Sequence, residues 1–184
     1  MTTLNNKKVA ILVANGFEQV ELTEPRQALL DAGAEVHIVS PEDDAVQGWN
    51  HYDKADHFPV DVALKDADPS RYDALLLPGG TVNPDQLRVN DAAVAFVKAF
   101  FQASKPVAAI CHGPWTLVEV GAVEGRKLTS WPSLQTDLKN AGGDWVDQEV
   151  VVDQGLITSR NPDDIPAFNQ RMIEAVAQGT MQTA

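Results

Sequence analysis

The chain has 184 residues, of which 44% are hydrophobic and 22% are charged, a composition typical of a globular protein that folds unaided. Acidic residues outnumber basic residues 26 to 14, and the resulting formal charge of -12 argues against binding to nucleic acid or to an anionic membrane surface. A single cysteine excludes an intrachain disulfide and a cysteine-rich metal cluster.

Hydropathy along the chain predicts one cytoplasmic domain. Residues 1–8 are polar, and neither the apolar core nor the small-residue cleavage site of a secretory signal follows them. No apolar run reaches the roughly eighteen residues that would span a bilayer. The length is typical of one domain, and no repeat or linker divides it. We therefore expect a single domain over residues 1–184, with no membrane partner.

Strands and helices alternate from the start of the chain. Residues 9–14 are apolar and rich in β-branched side chains, which is typical of a strand covered on both faces, and Gly16 ends this run. Apolar residues recur at helical spacing over residues 20–32, and Gly33 follows as a C-cap. A second strand is predicted at residues 35–40. Strand, helix and strand joined by tight connections form a βαβ unit, which predicts a parallel sheet.

The middle of the chain is less regular. Residues 43–73 contain Pro59 and Pro69 and lack a clear period, so we interpret them as an irregular excursion in which residues 60–64 form a short edge strand. The alternation of strands and helices then resumes at residues 74–77, 92–103, 107–110 and 114–120.

The last part of the chain predicts a hairpin and a helix. Residues 149–152 and 156–159 flank an Asp-Gln-Gly sequence that favours a tight turn. A helix is expected over about residues 163–177. The alternation as a whole indicates an α/β fold.

The strongest functional motif surrounds Cys111. Residues 107–114 run from a buried strand directly into a helix, the layout of a nucleophile elbow that lifts its residue above the carboxyl edge of a sheet. Gly113 lets the backbone pass beneath, and Pro114 suits the first helical turn. A thiol at a helix N-terminus feels the partial positive charge of unpaired amides, so we expect Cys111 to be partly ionised at neutral pH. A small core residue is the structural alternative, but the adjacent His112 favours the nucleophile.

The segment Ala-Ile-Cys-His-Gly-Pro at residues 109–114 resembles the signature of the ThiJ/PfpI superfamily, especially its PfpI-like intracellular proteases and bacterial stress proteins. Four other segments look like that family and occur in the same order: residues 17–22, 73–80, 125–129 and 147–153. The resemblance covers about residues 8–177. It implies a three-layer, flavodoxin-like α/β sandwich with a mostly parallel central sheet and helices on both faces, similar to the fold of class I glutamine amidotransferases.

The resemblance also implies roles for individual residues. Glu18 stands where the family has a glutamate that, when protonated, hydrogen-bonds the reactive sulfur. The backbone N–H groups of Gly80 and His112 correspond to the family's oxyanion hole. Asp85 stands where PfpI-like members supply a carboxylate from a neighbouring subunit, typically a glutamate. The resemblance thus implies a homo-oligomer, a dimer or larger, with Cys111, His112, Glu18 and Asp85 as catalytic residues.

Two further side chains are candidates for contacts with a substrate. Trp115 stands where many relatives carry glutamine, and it would narrow the pocket, stack on a ligand or simply pack. Arg160 follows the last predicted strand and would meet a substrate carboxylate or form an ion pair with Asp163 or Asp164.

The positions of the histidines argue against two kinds of site. Class I glutamine amidotransferases need a His-x-Glu pair after a late strand, whereas no histidine follows His112. Neither a metal site nor another cofactor is expected, because three histidines lack carboxylate or cysteine neighbours at ligand spacing: His37, His51 and His57.

Three functions remain open from the sequence. The first is a carbonyl-directed enzyme of the glyoxalase or deglycase type, in which a thiolate adds to a 2-oxoaldehyde or to an early glycation adduct on a protein or peptide. The second is an intracellular peptidase with an intersubunit Cys-His-acid arrangement. The third is a non-catalytic protein that senses oxidative stress through Cys111 or holds unfolded chains.

Overall fold

The computed structural model describes residues 2–179. Its strands are β1 (Lys8–Leu12), β2 (Phe17–Glu18), β3 (Glu35–Ser40), β4 (Ala45–Asn50), β5 (Asp53–Pro59), β6 (Val62–Ala63), β7 (Ala74–Leu77), β8 (Val107–Ile110), β9 (Lys127–Leu128), β10 (Asp144–Trp145), β11 (Val150–Asp153) and β12 (Leu156–Ser159). Its helices are α1 (Gln19–Asp31), α2 (Val82–Arg88), α3 (Asp91–Gln102), α4 (Pro114–Val120), α5 (Gln135–Asn140) and α6 (Ile165–Gln178).

A seven-stranded sheet in the order β11-β12-β8-β7-β1-β3-β6 forms the centre of the molecule. Every neighbouring pair is parallel except β11 and β12, which are antiparallel. Numbered along the chain, the five longest parallel strands lie in the order 2-1-3-4-5, which is that of flavodoxin-like sheets. The predicted α/β fold with a mostly parallel sheet is confirmed.

Both faces of the sheet are buried. Alternate residues of each strand point to opposite sides, and both sets of side chains lie in hydrophobic clusters. In β1, Ala10 and Leu12 belong to one hydrophobic cluster, which includes Phe100 of α3. Val9 and Ile11 belong to the other cluster, which includes side chains of α1 and α6. Helices therefore cover both faces, and the continuous apolar runs in the sequence follow from this double burial.

The predicted irregular excursion contains a regular hairpin, so that interpretation was wrong. Strands β4 and β5 pair in antiparallel fashion, and β2 joins β4 to make a separate three-stranded sheet. Most side chains of β5 are exposed on both faces, so the strand lacks the alternation by which half-buried strands are recognised. The predicted short edge strand at residues 60–64 is confirmed as β6, which pairs with β3.

The end of the chain agrees with its pattern. Strands β11 and β12 form the predicted hairpin, whose turn contains Gln154 and Gly155 at positive φ angles of 47° and 77°. The final helix α6 follows a short 3₁₀ turn at Pro162–Asp164. Within residues 2–179, no helix combines the length and hydropathy needed to cross a bilayer. A single domain over residues 1–184 stays a prediction, since Met1 and residues 180–184 lie outside the described residues.

Candidate active site

The candidate active site lies where the carboxyl ends of β1, β7 and β8 meet. The chain leaves β1 towards one face of the sheet and β7 towards the other, and this divergence opens a crevice beyond the strand ends. A cavity of about 470 Å³ occupies the crevice. The ionisable, nucleophilic and aromatic side chains that line the cavity are Glu18, Glu21, Trp49, His51, Tyr52, Cys111, His112 and Trp131.

The predicted elbow is present at Cys111. Strand β8 ends at Ile110 and α4 begins at Pro114, and between them Cys111 has a left-handed backbone with φ of 61°. Two hydrogen bonds hold this uncommon conformation: the N–H of Cys111 donates to the Ser159 carbonyl at 3.0 Å, and its own carbonyl accepts from the Trp131 N–H at 2.9 Å. The thiol thus sits at the floor of the cavity, in a residue that is only 7% exposed.

The acid that contacts the thiol is Glu21. Its side chain is fully buried, its Oε2 accepts a 2.7 Å hydrogen bond from the Gly79 N–H, and it hydrogen-bonds Cys111. Its Oε1 is buried without a partner. The prediction that Glu18 makes this contact is wrong, because Glu18 precedes α1 and lies in the cavity wall, where its Oε2 accepts from the His51 N–H at 3.1 Å. Glu21 lies one helical turn later on α1, and its side chain is buried in the protein interior next to Cys111.

Burial sets the protonation of Glu21. Desolvation raises the pKa of this carboxyl group from 4.5 to about 8. Hydrogen bonds from the Gly79 N–H and with Cys111 oppose the rise, and the charge of Glu18 adds slightly to it. Glu21 therefore keeps its proton at pH 7 and can donate it as well as accept one.

The expectation that Cys111 is partly ionised at neutral pH is contradicted. Burial raises the pKa of the thiol above its ordinary value, and the charge of Glu21 and the hydrogen bond with it act in the same direction. The N–H groups of His112 and Gly80 lower the pKa, as expected for amides that face the sulfur, but desolvation outweighs them. The resting pair of Glu21 and Cys111 is neutral, so a thiolate has to form as the substrate reacts.

His112 is placed to accept the thiol proton. Its Nδ1 lies 3.3 Å from Sγ of Cys111, and burial lowers the pKa of the imidazole, which keeps the ring neutral at pH 7. The Trp131 ring stacks on the imidazole with 5.9 Å between centroids, and the Trp115 ring meets it edge-on at 5.8 Å. No carboxylate in the described part of the chain hydrogen-bonds this imidazole.

The double glycine after β7 shapes the floor of the site. A Cβ at Gly79 would lie 2.6 Å from Oε2 of Glu21 and 2.8 Å from Cβ of Cys111. Gly80 has φ of 75°, and a side chain there would collide with the backbone of Gly16 and Glu18. Only glycine at both positions brings the Gly80 amide close to the sulfur. The predicted amide pair of Gly80 and His112 therefore faces Sγ.

Trp115 and Arg160 have structural contacts instead of the predicted contacts with a substrate. Trp115 is absent from the cavity wall, and its Nε1 donates to Asp137 at 2.9 Å. Arg160 makes a forked ion pair with Asp164, with both N···O distances at 2.9 Å, and a third bond to Asp147. The alternative of an ion pair with Asp164 is thus the correct one for Arg160.

Asp85 is exposed on the first turn of α2. The contact predicted for it involves a neighbouring subunit, so the geometry of one chain does not test it, and its role stays a prediction.

Four aromatic or histidine side chains in the cavity were missed by sequence reasoning: Trp49, His51, Tyr52 and Trp131. Three of them come from the β4–β5 hairpin, whose strands lack a clear period. Trp131 lies in the loop after β9 and has no local signal. No three His, Cys, Asp or Glu side chains within residues 2–179 are grouped so that they would hold a metal ion.

Comparison with known proteins identifies the family of the chain. The profile of the DJ-1/PfpI family matches residues 7–175. General stress protein 18 of Bacillus subtilis is 46% identical over 169 residues, which cover 91% of this chain and 96% of that protein. Deglycase TK1284 of Thermococcus kodakarensis is 42% identical over 167 residues, covering 91% and 98%. The crystal structure of Drosophila melanogaster DJ-1beta has a TM-score of 0.84 at 27% identity, covering 93% and 90%. The chain therefore belongs to the DJ-1/PfpI family.

Proposed function

We propose that the protein is a cysteine-dependent enzyme that converts 2-oxoaldehydes, free or bound as early glycation adducts, into 2-hydroxy acids. The observation that carries the proposal is the buried contact between the Cys111 thiol and the Glu21 carboxyl group, whose pKa of about 8 suits a group that gives and takes protons near neutral pH. The relative named Deglycase TK1284, at 42% identity, supports this class of reaction.

The first step joins sulfur to the aldehyde carbon. The thiol proton of Cys111 passes to Nδ1 of His112, 3.3 Å away, as sulfur attacks. Negative charge develops on the aldehyde oxygen, where the N–H groups of Gly80 and His112 stabilise it. The proton then returns from His112 to that oxygen and completes a hemithioacetal. With an adduct as substrate, the carrier's amine or thiol leaves with this proton as sulfur takes its place.

The second step moves hydrogen from one carbon to its neighbour. In its ionised form, Glu21 removes the proton from C1 of the hemithioacetal, the C2 oxygen takes up a proton, and an enediol forms. Glu21 then returns its proton to C2 while the C1 hydroxyl gives up its own proton to replace the one taken up at the C2 oxygen, so that C2 carries a hydroxyl and C1 becomes a thioester. Oε1 of Glu21, which has no protein partner, is free to carry this proton. Water then hydrolyses the thioester and releases the 2-hydroxy acid and the thiol. The oxidation of C1 balances the reduction of C2, so the reaction needs no external redox partner.

Peptide hydrolysis makes a different demand on the site. An acyl-enzyme mechanism needs His112 to protonate a leaving amine, and a carboxylate that orients the imidazole assists this. No such carboxylate lies within residues 2–179 of the same chain, so peptidase activity would depend on Asp85 from a neighbouring subunit. Conversion of a 2-oxoaldehyde has no comparable requirement, because Glu21 is already in place.

The test measures methylglyoxal consumption together with lactate formation. We expect Cys111→Ala to abolish both, and Glu21→Gln to lower kcat by about a hundredfold or more, as loss of a general acid–base does. Glu149→Gln removes an exposed carboxylate that does not line the cavity and serves as the matched control. Undiminished methylglyoxal turnover in Cys111→Ala would overturn the proposal. Turnover of a fluorogenic peptide, lost in Asp85→Ala, would indicate the peptidase instead, and a protein that only senses oxidants would turn over neither substrate.

A further inference from the structure

The cavity around Cys111 carries charge of one sign. Its walls contain the carboxylate of Glu18 and the protonated, neutral carboxyl group of Glu21, whereas no lysine or arginine contributes to them among the described residues. The whole chain has a formal charge of -12, so the surrounding field has the same sign. A cleft lined by one sign of charge concentrates ligands of the opposite sign and repels those of its own.

Glu18 is the carboxylate that faces incoming ligands. Its side chain is 12% exposed, and the hairpin tip holds it through the His51 N–H, which lies 3.1 Å from Oε2 and 3.4 Å from Oε1. A carboxylate has about four acceptor positions, so this single neutral donor leaves most of them free. The His51 imidazole lies 3.8 Å from Oε1 and is 75% exposed, so water screens its interaction with the carboxylate.

An unpaired oxygen of Glu21 is a second observation that indicates a polar ligand in the cavity. Its Oε1 is buried in the cavity wall and has no hydrogen-bond partner. An unpaired buried polar atom is costly in a folded protein and is usually explained by a ligand or by chemistry. The polar groups of the cavity thus remain incomplete without a bound molecule.

Three aromatic rings surround the same opening. Tyr52 is 94% exposed at the tip of the hairpin, Trp131 is 40% exposed, and Trp49 lies on β4 of the hairpin, where it pairs with Glu18 of β2. The hairpin is fixed to α1, because the side-chain amide of Gln19 makes two 2.8 Å hydrogen bonds with Asp56. Aromatic rings beside a carboxylate are a common composition of a site for an organic cation.

We propose that Glu18, together with Trp49, Tyr52 and Trp131, forms a subsite for a guanidinium or ammonium group on the molecule that carries the aldehyde, and that Glu18 is the residue that selects it. The inference rests on the proposed function and specifies its substrate class: adducts on cationic carriers are preferred over adducts on neutral carriers, and anionic carriers are the poorest substrates. The carboxylate would accept a charge-assisted hydrogen bond while the rings cover the flat faces of the cation.

The test uses two ligands of one shape that differ in charge, N-acetylarginine amide and N-acetylcitrulline amide. Their binding to Cys111→Ser is measured by calorimetry and by tryptophan fluorescence, so no turnover is involved. We expect the arginine ligand to bind about five- to twentyfold more tightly, with a preference that shrinks as salt is added. Glu18→Gln in the same background should abolish the preference, and Glu149→Gln should retain it.

A second variant, Tyr52→Ala, tests the subsite even if Glu18→Gln misfolds. Tyr52→Ala removes a ring that is almost fully exposed, so it leaves the core intact and should weaken the arginine ligand about two- to fivefold while affecting the citrulline ligand less. Equal binding of the two ligands, binding of neither, or a preference that persists in Glu18→Gln would overturn the subsite. Preferential binding of the arginine ligand without any methylglyoxal turnover in the wild-type protein would overturn the proposed function and leave the subsite standing.

Discussion

Trp131 contacts both the imidazole of His112, through its ring, and the backbone of Cys111, through its N–H. Its backbone N–H donates to the carbonyl oxygen of Cys111 at 2.9 Å, and its indole lies on the His112 imidazole with 22° between the ring planes. The backbone bond fixes the left-handed turn at Cys111, while the ring fixes the direction of Nδ1 towards sulfur. His112 thus obtains from an aromatic ring the orientation that other cysteine enzymes obtain from a carboxylate.

Trp131→Ala should slow the reaction without unfolding the elbow. The backbone hydrogen bond does not depend on the side chain, whereas the stacked pair is worth about 0.5–1.5 kcal/mol, so we expect kcat for methylglyoxal to fall about three- to tenfold. Steady-state kinetics with this small neutral substrate provide the measurement. Trp131→Phe, which restores a stacked ring, is the matched control and should recover most of the rate. An unchanged kcat in Trp131→Ala would show that the stacking does not position His112.

Glu21 should make the protein less stable as pH rises. In the folded protein this carboxyl group holds its proton up to about pH 8, whereas the unfolded chain releases it above about pH 4.5. Between these values the folded state binds more protons, so the free energy of unfolding falls by up to about 1.4 kcal/mol for each pH unit. Glu21→Gln is neutral throughout and can still accept from the Gly79 N–H, so its stability should lack this slope.

Urea unfolding at several pH values between 5 and 8 measures the difference between the two proteins. Glu18→Gln is the matched control, because it removes a carboxylate from the same cavity but should leave the slope in place. Parallel stability curves for the wild type and Glu21→Gln would mean that Glu21 is ionised in the folded protein.

Much of the fold was predictable, because it depends on local and regular patterns. Runs of branched apolar residues marked the buried strands β1, β3, β7 and β8, since burial on both faces leaves no polar alternation. The β4–β5 hairpin was not predictable, because both faces of β5 are largely exposed and its register is set by pairing with β4. Short strands such as β9 and β10 likewise have too few residues to show a period.

The site was predictable only in part. The elbow motif located Cys111 and His112, because a strand that runs directly into a helix is visible in the sequence, and the family resemblance located the double glycine. The choice between Glu18 and Glu21 depended on where α1 begins, and helix ends are the least certain feature of a pattern. The raised pKa of Cys111 depended on burial, which is a property of the folded chain.

Gly79→Ala should damage the site and the fold together. The added methyl group would approach Oε2 of Glu21, Cβ of Cys111 and the His112 nitrogen at 2.6, 2.8 and 2.9 Å. We expect a loss of about 1–3 kcal/mol in stability from the overpacking, and loss of most turnover because three catalytic groups move. Gly125→Ala is the control: its methyl group meets nothing within 4 Å, so the positive φ costs about 1 kcal/mol and turnover stays. Thermal unfolding and methylglyoxal kinetics distinguish the two, and full activity in Gly79→Ala would contradict the geometry.

Arg160→Lys tests whether the arginine serves the fold or the substrate. Its guanidinium pairs in a fork with Asp164, a residue only 3% exposed, and lysine cannot reproduce both bonds. We expect a loss of about 1–2 kcal/mol in stability, discounted for the partial exposure of Arg160, while KM for methylglyoxal stays within about twofold. Denaturant unfolding and initial rates measure both quantities. A large rise in KM with unchanged stability would restore Arg160 as a substrate-binding residue.

Asp85 tests whether the site is shared between subunits. If the carboxylate of one chain assists His112 of another, a mixed oligomer of Asp85→Ala and Cys111→Ala chains contains sites in which an intact Cys111 faces an intact Asp85. Co-expression of the two variants should then recover peptide hydrolysis that neither has alone, up to about a quarter of the wild-type sites in a random two-fold assembly. The measurement is the specific activity of the co-purified mixture on a fluorogenic peptide, with each variant alone as the baseline and Glu149→Ala in place of Asp85→Ala as the control.

The outcome depends on whether Asp85 acts across a subunit interface or has no part in the site. Asp85 is exposed and His112 has no carboxylate partner within the described residues of its own chain, so a role for Asp85 requires an interface that brings α2 of one subunit to the cavity of the next. Sedimentation at the assay concentration should show a dimer or larger, and dilution below the assembly range should reduce activity per chain. A monomer, or full peptidase activity of Asp85→Ala alone, would mean that His112 and Cys111 work within one chain without Asp85.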